Sequence, residues 1–188
     1  NVTTQNFFDE IRKVSNYDLA NFSKTWLESS GFNNEIANEL LAKNSAMKVQ
    51  LEVAKLRNKP LTEKYGFFEK TLKSDVYFTV KESIAGQLFK EKFEDKKQLL
   101  HLAMQTQNYQ VRQAVAKKKK KIPEEFRAEY ETLLTDKSYQ TQELALYGLW
   151  NNFPERRVDY LTKTKGWIGF NDFNLRILWL SLAVSTPE

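Results

Sequence analysis

Five short segments recur along this 188-residue chain at a nearly constant interval: Met47–Leu51, Val80–Ile84, Val111–Val115, Gln142–Leu146 and Leu175–Trp179. Their first residues fall at 47, 80, 111, 142 and 175, so the steps are 33, 31, 31 and 33 residues. The second position is basic in four of the five (Lys48, Lys81, Arg112, Arg176), the fourth is small in three, and the fifth is always large and apolar. A fixed period of about 32 residues marks stacked structural units, which bury a core only by packing on each other. The repeat therefore predicts an architecture before any question of chemistry arises. It also predicts that most of the chain is scaffold or binding surface.

Composition says what the units are made of. Six Gly and four Pro leave little room for the turns of a many-stranded protein, and 41% hydrophobic residues suffice for a packed core. Each unit reads as two helices. The first carries the recurring segment and follows cap-type residues: Asn44 and Ser45, Ser74 and Asp75, Asn108, Ser138, and Asn171 and Asp172. The second begins near Pro60, Phe93, Pro123 and Pro154, and proline suits a first helical turn because its missing N–H would be unpaired there. These second helices are predicted at Leu61–Lys73, Glu94–Gln105, Glu124–Thr135 and Glu155–Lys165, and the last three open on acidic residues that complement the helix dipole. The expected fold is all-α, an α-solenoid of about five helical-hairpin units over residues 34–188. The fifth unit has no second helix before Glu188 and is read as incomplete.

Residues 1–33 differ. Thr4, Phe7, Phe8, Ile11 and Val14 form one short amphipathic stripe, and Leu19, Phe22, Trp26 and Leu27 form a second that ends at Ser29-Ser30-Gly31. Gly31 stands where a helix end favours a positive φ. This segment, through Phe7-Phe8, Ile11, Val14-Ser15, Asp18-Leu19, Phe22, Trp26-Leu27 and Gly31, resembles the end of the catalytic domain of M1-family zinc aminopeptidases. The family pattern commonly continues from that glycine to x-Pro, and Gly31-Phe32-Asn33 departs from it. The helical units that follow resemble the HEAT-like C-terminal domain of many of these bacterial-type enzymes. The resemblance implies two helices from the edge of a catalytic domain in residues 1–33, then a HEAT-like domain in 34–188. It implies a parent hydrolase that uses one zinc ion to remove N-terminal residues from peptides. The family holds that zinc with His-Glu-x-x-His and a further Glu, and the chain has one histidine, so no catalytic, cofactor or metal position carries over. The chain itself is thus expected to be non-catalytic, with the catalytic domain of the same polypeptide as its partner. The opening at Asn1, in mid-pattern, reads as a piece of a larger protein, and no compartment is assigned.

The remaining chemistry is sparse. With no Cys, thiolate metal sites and disulfides are ruled out. His101 has no second histidine to share a metal and is read as partly packed on a second helix. The net charge of +5 and pI near 9.2 permit binding to polyanions. Candidates for a basic surface are the repeat cations Lys48, Lys81, Arg112 and Arg176, and the run Lys117, Lys118, Lys119, Lys120 and Lys121. The row could read an acidic partner or pair with Glu and Asp of adjacent units, and the run could bind phosphate or simply end a helix. In each case the structural role is the favoured one. The aromatics are read mainly as core, leaving Trp167-Ile168-Gly169-Phe170 as a loop that is harder to place. The longest apolar run, Ile177 to Val184, is far below the ~20 residues a membrane span needs. The alternatives to the aminopeptidase reading are a basic HEAT-like nucleic-acid binder and a protein–protein scaffold.

Overall fold

The structure is a computed structural model that describes residues 2–118 and 121–187, with Lys118 described by its backbone alone. Among the described residues every regular element is helical. The chain forms two compact units, Asn1–Lys48 and Val49–Glu188.

The first unit contains α1 (Thr4–Val14), α2 (Leu19–Phe22) running into a π-helical turn at Ser23–Leu27, and α3 (Asn34–Leu41). Side chains of Thr3, Asp18 and Asn33 accept from first-turn amides and start these helices. Gly31 has φ 85, the left-handed conformation its place after a helix predicted. Helix α4 (Ser45–Lys55) crosses the division, and Asn44 Oδ1 caps it by accepting from the amides of Ala46 and Met47.

The second unit continues with α5 (Leu61–Lys73), α6 (Phe78–Leu88), α7 (Phe93–Met104), α8 (Tyr109–Lys118), α9 (Arg127–Glu131), α10 (Tyr139–Asn152), α11 (Arg157–Thr164) and α12 (Asn174–Val184). The helices bearing the recurring segments stack in order: α6 packs on α8, α8 on α10, and α10 on α12. Second helices lie alongside, with α5 on α7, α7 between α6 and α8, and α11 between α10 and α12. On α6, α8 and α10 the apolar residues at the first and fifth repeat positions belong to the core. Val80, Ile84, Val111, Val115 and Leu146 are closed to solvent, and each such aliphatic side chain contributes roughly 1.5–3 kcal/mol on burial.

Two local expectations are corrected. Ser74 and Asp75 do not cap α6. Ser74 instead ends α5, its hydroxyl donating to Thr71 O at 2.8 Å, and α6 starts after Tyr77 with no side-chain cap. The helix expected over Glu124–Thr135 is α-helical only at its centre, with 3₁₀ turns at Glu124–Phe126 and Thr132–Thr135. The hydroxyls of Thr132 and Thr135 each donate to a carbonyl three residues back (2.6 and 3.0 Å), which draws the last turn tight.

In the loop before α12, Gly169 has φ 95, and a Cβ there would lie 3.1 Å from the Leu175 amide nitrogen. The loop can pass this close to α12 only with glycine at that point. Trp167 is partly buried against the core, while Ile168 and Phe170 are exposed.

Val115→Asp and Leu146→Asp each place a carboxylate at a fully closed position. Each is expected to cost more than about 3 kcal/mol, read as a large fall in Tm. A wild-type Tm in either variant would refute the repeat phase.

Candidate functional site

The cations of the repeat do not share one exposed face. Lys48 is exposed, but Lys81 is buried on α6. Arg112 Nε donates to Asp136 Oδ2 at 2.6 Å, and its Nη1 donates to Thr106 O. Asp136 is itself held, its Oδ1 accepting from the Ser138 amide and its carbonyl from Gln142 Nε2. Arg176 donates to Lys165 O at 3.1 Å and lies over the Trp179 ring. Two of the four, Arg112 and Arg176, are thus engaged by neighbouring elements, and a third, Lys81, is enclosed. In the lysine run, Lys117 and Lys121 are exposed, and the side chains of Lys118, Lys119 and Lys120 lie outside the described residues.

His101 is tied on both sides. Its Nδ1 lies 3.2 Å from Glu129 Oε1, and its Nε2 lies 2.8 Å from Gln105 Nε2. An amide nitrogen can only donate, so Nε2 accepts and the ring proton sits on Nδ1, facing the carboxylate. The ring links α7 to α9. Among the described residues no group of three or more His, Asp and Glu side chains could hold a metal ion. No described helix is long and apolar enough to cross a membrane.

Buried polar groups between helices serve packing. Lys64 Nζ pairs with Glu91 Oε1 at 3.2 Å beneath the surface. Burial pulls Lys96 below the ordinary lysine range, an effect that nearby Glu91 opposes. Tyr130 donates to Ala116 O at 2.9 Å, and Tyr160 to Glu131 Oε1 at 2.9 Å. Burial raises the pKa of both phenols, and the hydrogen bond to Glu131 adds to the rise at Tyr160.

One groove stands out. It runs between α4 and α6, encloses about 520 Å³, and is lined by Gln50, Val53, Ala54 and Arg57 on one side and by Thr79, Glu82, Ser83, Gly86, Gln87 and Lys90 on the other. Gln50, Val53 and Ala54 share one face of α4, and Thr79, Glu82, Ser83, Gly86 and Gln87 share one face of α6, while Arg57 and Lys90 continue these rows just past the helix ends. Gln50 Nε2 donates to Ser83 Oγ at 2.9 Å, and Ser83 Oγ donates on to Thr79 O at 2.9 Å. Gln87 Nε2 donates to Val53 O at 2.6 Å. These bonds set which end of each amide is nitrogen. The two Oε1 atoms are buried without a hydrogen-bond partner among the described residues. Arg57 and Lys90 are exposed at the C-terminal end of the groove, and Glu82 lies toward the other end.

The sequence reading passed over this groove. Gln50 and Ser83 occupy the same fourth repeat position, one step of 33 residues apart, and that register could have paired them. Gln87 carried no comparable mark. Comparison with protein-family models, with curated proteins and with solved structures finds no match for the chain.

Asp136 has a side chain only 2% exposed, so Arg112→Met strands a buried carboxylate and is expected to cost about 3–5 kcal/mol. Lys117→Gln and Lys121→Gln should stay within about 0.5 kcal/mol of wild type. Chemical denaturation of the three variants checks both. The tyrosines carry a second expectation. A phenol whose folded pKa exceeds its unfolded value of 10.0 supports the fold fully below that pH, and the support is lost as pH rises toward the folded value. Stability measured by urea melting at about pH 9 and about pH 11 should therefore fall, and less so in Tyr160→Phe.

Proposed function

We propose that this chain is the non-catalytic C-terminal part of an M1-type zinc aminopeptidase. In this reading its helices over residues 34–188 form a HEAT-like solenoid that packs on the catalytic domain of the same polypeptide. The solenoid limits access to the cleft, so that peptides enter by a free amino end. Zinc and peptide substrate belong to the parent enzyme's catalytic domain, and no residue of this chain is assigned to either.

The observation that carries the reading is the state of the first unit. Its buried apolar side chains are Phe8, Leu19 and Ala37. Phe7, Val14, Tyr17, Leu27, Phe32, Leu40 and Leu41 are exposed, several of them within or beside the segment that resembles the end of the catalytic domain. A run of 48 residues with so little core calls for further apolar surface to cover it. The edge of a larger catalytic domain is such a fragment. The stacking of α6, α8, α10 and α12 at the repeat interval supports the solenoid part of the reading. The nucleic-acid alternative draws little from the repeat cations, because Lys81 is buried and Arg112 and Arg176 are engaged internally.

The test is release of an N-terminal amino acid from peptides by the full-length parent, with this chain alone as control. Activity in the parent that a chelator abolishes and zinc restores, with none in the chain alone, is the expected result. A parent without a His-Glu-x-x-His segment, or without chelator-sensitive release, would discard the reading.

A further inference from the structure

The α4–α6 groove exists because of a break in the repeat. The fourth position is Ser83, Ala114 and Ala145 on α6, α8 and α10, and small residues there let neighbouring helices close together. On α4 the same position is Gln50, whose amide bridges to Ser83 Oγ. The seam is spanned by a side chain instead of being closed by backbone approach. Ala54, Ser83 and Gly86 then leave the space of about 520 Å³ unfilled. Glycine in mid-helix is less favourable than alanine by about 1 kcal/mol, so Gly86 lowers the stability of α6 while widening the groove.

The groove is polarised. Glu82 on α6 and Lys90 in the turn just after it are eight residues apart, about 12 Å at a helical rise of 1.5 Å per residue. A segment of extended polypeptide covers that length in about four residues. At the far end Arg57 and Lys90 face solvent, and among the described residues neither makes an ion pair. Between the ends lie the two glutamine amides, whose oxygens lack donors while their nitrogens are already committed. Gln87 is 8% exposed. A buried acceptor left unpaired costs about 1–3 kcal/mol, so this seam favours whatever brings N–H groups to it.

We propose that the α4–α6 groove binds an extended, acidic polypeptide segment. Its main-chain N–H groups supply donors for the Gln50 and Gln87 amides, and a carboxylate sits between Arg57 and Lys90. A free phosphate or carboxylate ion brings no N–H, and a simple amine is repelled by the two cations. A backbone with one acidic group meets both demands, and Glu82 sets the direction by disfavouring a carboxylate at the opposite end. The carboxylate can come from an Asp or Glu side chain or from a chain terminus. This inference lies within the second unit and does not rest on the aminopeptidase reading.

The test uses the full chain, labelled with ¹⁵N, and three pools of short peptides. One pool is N-acetylated and C-amidated with a single Asp or Glu, one is blocked in the same way with Asn or Gln in its place, and one is neutral in its side chains with a free C-terminus. Shifts of the Gln50 and Gln87 side-chain amides and the Gly86 backbone amide with the first pool, weakening as salt rises, are the expected result. The same shifts with the third pool alone would assign the carboxylate to chain termini. The exposed pair Arg57→Glu and Lys90→Glu should together weaken binding about tenfold or more, with Tm unchanged. Gly86→Leu should abolish it by filling the groove. No shift with any pool, equal binding of the neutral blocked pool, or binding unaffected by the double charge reversal would overturn the proposal. None of those outcomes bears on release of amino acids by the parent.

Discussion

The second unit depends on one contact made repeatedly: the apolar fifth-position residues of α6, α8 and α10, buried where these helices pack on one another. None of its α-helices exceeds the 14 residues of α10. Isolated helices shorter than about 12–15 residues are marginal in water. Helices this short persist because each buries a face on a neighbour, as Ile84, Val115 and Leu146 do between α6, α8 and α10. The step between these residues is 31, one hairpin, so the same interval that repeats in sequence sets the spacing of the core.

Polar ties join residues about one unit apart, from 28 to 36 positions. Gln50 to Ser83 and Gln87 to Val53 cross the α4–α6 seam. Lys97 to Glu125 and Tyr160 to Glu131 link second helices, and Trp150 Nε1 donates to Thr186 Oγ1 beyond α12. Exposed pairs such as Lys97–Glu125 contribute at most about 1 kcal/mol each. Their larger effect is on register, because a slip of one residue would separate every partner at once. Arg112 is the sharpest case. A cation that in sequence could face a partner is instead the counter-ion of a buried aspartate, and its removal leaves Asp136 uncompensated.

Several elements were legible in the sequence for reasons the packing now makes plain. Pro60, Pro123 and Pro154 mark second-helix starts because a proline lacks the amide that a first turn cannot pair. Gly31 marks a helix end because its φ of 85 is strained for other residues. Less was legible where a residue had two possible partners. Ser74 can cap the next helix or close the previous one, and only the position of Thr71 O decides. Thr132 and Thr135 read as helix residues until their hydroxyls are seen on backbone carbonyls. Lys81 and Arg112 have the same sequence appearance as exposed Lys48, and the difference lies in which neighbouring helix covers them. Of the groove, the repeat register contains the Gln50–Ser83 pairing, but Gln87 turns toward Val53 O only in three dimensions.

The departures from the repeat are also where the chain can acquire specificity. A perfect repeat would close every seam with a small fourth residue and leave a smooth stack. At Gln50 a long amide replaces the small residue, and the result is a polar groove with cations at one end. At the opposite end of the array Leu178 replaces it, and α12 turns Ile177, Leu180 and Val184 outward. The first departure creates unmet hydrogen-bonding demand and charge, which together define a ligand by its chemistry. The second creates only apolar surface, which defines none. The physical content of the repeat is thus twofold: its regular positions build the core, and its irregular ones decide where that core is open to a partner.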